Sequence, residues 1–143
     1  MIAIWQIRKV GSTADAARRA AEAARDDRER LDAISHLSAA MAGVDEIKVF
    51  HRNPVWIVLP DRYARVRENV VAFRSTGPPL SETERASIEA MIGHLKAMET
   101  KVDRAIAAGQ TGTLNPARFN HLLSNSVEDL QSVVTRLKAG RAT

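Results

Sequence analysis

A chain of 143 residues can enclose one hydrophobic core unaided, and with no cysteine it excludes disulfides, thiolate metal sites and nucleophilic cysteine chemistry. Aromatic residues make up only 4% of the chain against 23 alanines, so an aliphatic core and a helical backbone are expected. The net charge of +4 suits an anionic partner, yet 17 acids are interspersed among 21 lysines and arginines without a block of one sign, the pattern of a solvated surface.

Residues 1–12 form an apolar and then basic segment, with six apolar residues among the first seven followed by Arg8 and Lys9. Trp5 ahead of Arg8 and Lys9 has the order of a cytoplasmic membrane exit, where tryptophan sits at headgroup level and cations stay inside. The apolar run is far shorter than the roughly 20 residues that a span needs. Its basic residues also follow the apolar ones, the reverse of a secretory leader.

The helical domain is expected over 13–143. Its first helix should cover about 13–51, with Ser12 or Thr13 as N-cap and a buried face of Leu31, Ile34, Leu37, Met41, Val44 and Ile47. The front of that helix, 13–30, has only a narrow stripe of Ala14, Ala17, Ala21 and Ala24 amid charges, some able to pair at i to i+4: Asp15 with Arg19, Arg18 with Glu22, Asp26 with Arg30. It reads as a stalk, and alanines at that spacing allow two helices to approach closely, so self-association through 14–28 is expected.

Asn53-Pro54 ends the first helix, and Val55 to Leu59 fits no class. A second helix from Pro60 to about Ser75 carries the seam Leu59, Tyr63, Val66, Val70 and Phe73. After the "STGPPLS" break, Ser81 and Glu84 have the spacing of a capping box. The third helix behind them should bury Ile88, Met91, Leu95, Met98, Val102 and Ala105 and end at Gly109. Asn115 as cap and Pro116 at the first position open a fourth helix that buries Phe119, Leu123, Val127, Leu130, Val134 and Leu137 and stops at Gly140.

Short connections make neighbouring helices antiparallel. The expected fold is therefore all-α, an up-down four-helix bundle with a long N-terminal helix. At about 1.5 Å per residue, a first helix near 40 residues spans roughly 55–60 Å, while the others reach roughly 25–40 Å. The N-terminal end must project or fold back.

The stretch "IWQIRKVGSTADAARRAAEAA" resembles the junction in a group of bacterial membrane-anchored helical proteins. In these a single N-terminal span runs through a WQIRK-type exit into an Ala-rich helix ahead of a cytosolic helical domain. The likeness is specific over residues 3–24 and looser through "RLDAISHLSAAMAGVDEIKVFHR"; this chain departs from the pattern in lacking the span, and the resemblance implies no activity. Two expectations follow. Either an anchor lies upstream, or residues 1–10 form a short strand or helical turn packed on the bundle or on a second copy.

Sites for chemistry are few. His36, His51, His94 and His121 are too scattered for a ligand pair and are expected at the surface or its boundary; no metal and no cofactor is implied. The adjacent acids Asp26-Asp27, Asp45-Glu46 and Glu128-Asp129 point about 100° apart on a helix and share no site. "GQTGT" at 109–113 lacks the Lys-Ser/Thr ending of a phosphate loop. Arg30 and His36, in "RLDAISH", have the spacing that resembles the ribonuclease motif of HEPN domains, although those place it later in the chain. Arg62, Arg65, Arg67 and Arg74, with Arg136, Lys138 and Arg141, could meet phosphates, but neither a recognition helix nor a stacking platform accompanies them. The expected function is a non-enzymatic interaction or scaffold module at the inner face of a bacterial membrane. Its expected partners are a protein or another copy, with the membrane surface at the N-terminus and no small-molecule ligand. An RNA-directed binder or ribonuclease using Arg30 and His36 is the alternative.

Overall fold

The structure, a computed structural model, describes the backbone of residues 2–140 and the side chains of residues 11–140. Four α-helices follow one another: α1 (Ile2–Arg52), α2 (Leu59–Ser75), α3 (Glu82–Ala107) and α4 (Pro116–Ala139). Short 3-10 turns at Trp56–Val58 and Thr111–Thr113 precede α2 and α4. The chain is an all-α bundle, with α1 packed between α2 and α4, and α3 closing the ring.

Helix ends follow local chemistry. The Ser81 hydroxyl accepts from the Glu84 amide at 3.1 Å while the Glu84 carboxylate accepts from the Ser81 amide at 2.9 Å, which satisfies two orphan donors of α3. Asn115 Oδ1 accepts from the Arg118 amide at 3.1 Å, with Pro116 opening α4. Gly77 and Gly109 take positive φ, +68° and +66°, just beyond α2 and α3, where a side chain would clash with its own backbone. Within the unclassified stretch 55–59, Trp56–Val58 form a 3-10 turn and Leu59 already begins α2, with Pro60 in its first turn.

The start of α1 and its buried face differ from expectation. The helix does not begin at Ser12 or Thr13: it is continuous from Ile2, so residues 2–10 are neither a strand nor an isolated turn. Its core face is Ala33, Leu37, Ala40, Val44, Ile47 and His51. Leu31 is 44% exposed, and Ile34 and Met41 are only partly buried. The face is rotated because Ala33 and Ala40 carry it, and small residues at a close helix contact leave no strong mark in a hydropathy pattern. The seams of α2 and α3 are buried as expected, whereas on α4 Val127 is only half-buried and Val133 joins the buried face beside Val134.

Small residues also set how closely α1 meets α2. A Cβ built on Gly43 would lie 2.6 Å from Cγ2 of the buried Val66, a β-branched side chain with little rotamer freedom. Gly93, on the exposed side of α3, has nothing within 4 Å of such a Cβ. Gly93→Ala should therefore raise stability by about 0.5–1 kcal/mol through helix propensity alone. Gly43→Ala should lower it by about 1 kcal/mol or more, because overpacking outweighs the same propensity gain. Urea unfolding of the two variants checks the opposite signs.

Candidate functional site

Two regions of the described residues stand out, a buried histidine at the far end of the bundle and the uncovered N-terminal stretch of α1. At the far end, the core face of α1 finishes in His51, 1% exposed. The surface or boundary placement expected for the histidines therefore fails for His51: it continues the spacing of Val44 and Ile47 by one more turn and must be buried with them. The bundle compensates it fully. The ring Nδ1 donates to Asn120 Oδ1 at 2.6 Å, Nε2 accepts from the Tyr63 hydroxyl, and Asn120 Nδ2 donates to the Lys48 carbonyl at 3.5 Å. Trp56, Tyr63 and Phe119 surround the imidazole with centroids at 5.9, 5.8 and 5.6 Å. Among the described residues no buried polar side-chain atom is left without a partner.

Burial holds His51 below its ordinary value of 6.5, against a smaller upward pull from Asn120, and burial pushes the Tyr63 phenol well up. Both groups are therefore neutral near pH 7. Enclosed by aromatic rings, with each nitrogen already bonded, His51 fixes α1, α2 and α4 together and leaves no room for a substrate. As pH falls below about 6.5 the unfolded chain binds a proton that the folded one resists, so folding stability is full above that value and is lost as pH drops toward the lowered folded value. The urea midpoint should fall between pH 7.5 and 5.5, and His51→Gln, though less stable, should flatten that slope. An unchanged slope in the variant would assign the pH dependence to other groups.

The arginines of α2 and Arg136 of α4 are committed to acids. Arg62 pairs with Glu46, Arg65 with Asp61 at 3.1 Å, Arg67 with Glu99, Arg74 with Glu89 at 2.7 Å and Arg136 with Glu84 at 2.8 Å. The hydrogen bond from Arg136, helped by Ser81, holds the Glu84 carboxyl below its usual range. The α2 arginines thus stitch helices together or pair within their own helix, and form no free cationic strip. Arg141 lies outside the described residues.

Arg30 and His36 are not brought together. Six residues apart, they are separated by about 9 Å of rise and about 120° of rotation. Arg30 bonds Asp27 at 3.1 Å and lines a groove of about 350 Å³ at the base of the stalk with Asp26, Glu29, Gly77 and Arg136, while His36 lies half-buried outside it. Among the described residues no His, Asp and Glu cluster could hold a metal ion.

The other unusual region is the stalk. Every residue from Gly11 to Glu29 is exposed, including Ala14, Ala17, Ala21 and Ala24. The expected i to i+4 ion pairs are replaced by i to i+3 ones, Arg18 with Asp15 at 2.8 Å and Arg30 with Asp27, while Arg19 Nε donates to the Asp15 carbonyl at 3.4 Å. Trp5, Arg8 and Lys9 fall in the backbone of α1, but their side chains lie outside the described residues. No helix among the described residues is long and apolar enough to cross a membrane.

Comparison with protein-family models, curated proteins and solved structures finds no match to this chain.

Proposed function

We propose that this chain is a non-enzymatic helical interaction module, a four-helix bundle that α1 holds away from the inner face of a bacterial membrane. The observation that carries the reading is the unbroken helix whose residues 11–29 are wholly exposed and lead straight into the bundle core. From Ile2 to Arg30 that helix is roughly 42 Å long at 1.5 Å per residue. Most helical stability in proteins comes from tertiary packing, and this stretch has none within its own bundle, so it has use as a spacer or as a surface for a partner. At its far end the sequence places Trp5, Arg8 and Lys9, the residue types that seat a helix at an anionic lipid surface. The absence of an assembled Arg30 and His36 pair gives the ribonuclease alternative no geometric support.

The test is flotation of the full chain with vesicles of phosphatidylcholine and phosphatidylglycerol. It should float with these and much less with phosphatidylcholine alone. The double change Arg8→Gln and Lys9→Gln should weaken partitioning by about tenfold or more, on the basis of about 1 kcal/mol per cation near such a surface. Equal behaviour with both vesicle types, or no flotation at all, would overturn the membrane-surface part of the reading.

A further inference from the structure

The ring of helices is least closely packed between α3 and α4. There a hollow of about 380 Å³ opens, with Ala97, Met98, Phe119 and Leu122 in its floor. It runs on over α3 into a more open hollow of about 540 Å³, the two sharing Ala97 and Lys101. Together they follow α3 from Gly93 to Arg104, about 16 Å or three helical turns. This groove lies at the end of the bundle away from the stalk, since Phe119 in its floor also packs on His51, with ring centroids 5.6 Å apart.

The charge of the groove is one-sided. Lys96, Lys101 and Arg104 of α3 and Arg118 of α4 rim it; all four are exposed, and none has an ion-pair partner among the described residues. No acid lines either hollow. The other grooves of the bundle carry acids of their own, Asp26 and Glu29 beside the stalk and Glu46 between α1 and α2. On α3 the nearby acids turn the other way: Glu99 pairs with Arg67 of α2, and Asp103 lies about 40° from Glu99 around the helix axis. On α4 the next acid on this side, Asp129, is about 10 Å beyond Leu122. Four like charges around one apolar floor repel one another, a cost that an acidic occupant removes.

We infer that this groove holds an acidic amphipathic helix of another protein, about three turns long, its apolar stripe on Met98, Phe119 and Leu122 and its carboxylates against the four cations. The inference rests on the reading of this chain as an interaction module and names the partner's chemistry. An apolar floor between cationic rims is the complement of an apolar stripe between acidic flanks, and methionine in that floor adapts to varied side chains. A nucleic acid fits less well. Phe119 is 5% exposed and lies under the Lys101 ammonium, 5.8 Å from the ring centre, so it offers no free aromatic face for a base to stack on. The stalk of a second copy does not match either, because residues 11–29 set four arginines among five acids and offer only alanine as an apolar stripe.

The probe is a fluorescein-labelled peptide of about 15 residues, with leucines at i, i+3, i+7 and i+10, glutamates on both flanks and alanine elsewhere. By fluorescence anisotropy it should bind the full chain at low salt and bind less well as salt rises. The double change Lys101→Glu and Arg118→Glu should raise the dissociation constant about tenfold or more, while the circular dichroism spectrum and thermal midpoint show the bundle intact. Ala97→Arg separates shape from charge. It adds a cation but fills the floor where the two hollows meet, so it should weaken the peptide and strengthen a ligand held by charge alone. No binding at millimolar protein, equal binding of a peptide with the same composition and its leucines scattered around the helix, or unchanged affinity in the double variant would each overturn the groove as a docking site. A uridine oligonucleotide that displaces the peptide and binds Ala97→Arg more tightly would assign the cations to phosphates and overturn it too. Vesicle flotation reads the opposite end of the chain, so either reading can fail without the other.

Discussion

A helix of 51 residues cannot be covered by partners of 17, 26 and 24, and the rest of the architecture follows from that mismatch. The bundle takes the C-terminal part of α1, from about Ala33 onward, and leaves the remainder to satisfy its own backbone. A helix does so internally, so an uncovered length costs no orphaned amides, only the lack of packing energy. Composition follows the division. Residues 11–29 hold alanine, the best helix former, with alternating charges, whereas residues 33–51 carry the leucine, valine and isoleucine that the bundle buries.

Within the bundle, the same helix closes the core in two different ways. At Gly43 the absence of a side chain lets α2 approach, and Val66 fills the contact. At its end, His51 replaces an apolar side chain and recruits Tyr63 from α2 and Asn120 from α4, so three helices are tied at one point by directional bonds, not by volume alone. A buried polar network of this kind, fully satisfied, fixes the register of its helices more sharply than aliphatic contacts do. The cross-helix ion pairs of Arg62, Arg67, Arg74 and Arg136 add little stability individually but respect the same register.

Much of this was legible in the sequence where a single strong cue acts. The Ser81 and Glu84 capping box, the Asn115-Pro116 start and the seams of α2 and α3 are local signals, and the structure shows each of them. The buried face of α1 was not legible, because the small Ala33 and Ala40 carry part of it whereas Leu31, an apolar residue in phase with others, points outward. Hydropathy weighs side-chain size and misses a contact made by its absence. His51 was hidden for a related reason: its burial depends on Asn120, 69 residues away. Extending the Val44 and Ile47 spacing by one turn would have placed it in the core. The start of α1 was missed because Gly11, Ser12 and Thr13 are ordinary cap residues that here continue a helix.

Amide hydrogen exchange along α1, followed at two protein concentrations a hundredfold apart, tests the central claim most directly. If the exposed stretch of α1 is an interaction surface that associates with another copy, residues 33–52 should be protected equally at both concentrations, while protection over residues 11–29 should rise with concentration. Stalk protection that is the same at both dilutions, with the protein monomeric throughout, would contradict the account: α1 would then be a self-supporting spacer with no partner along its length.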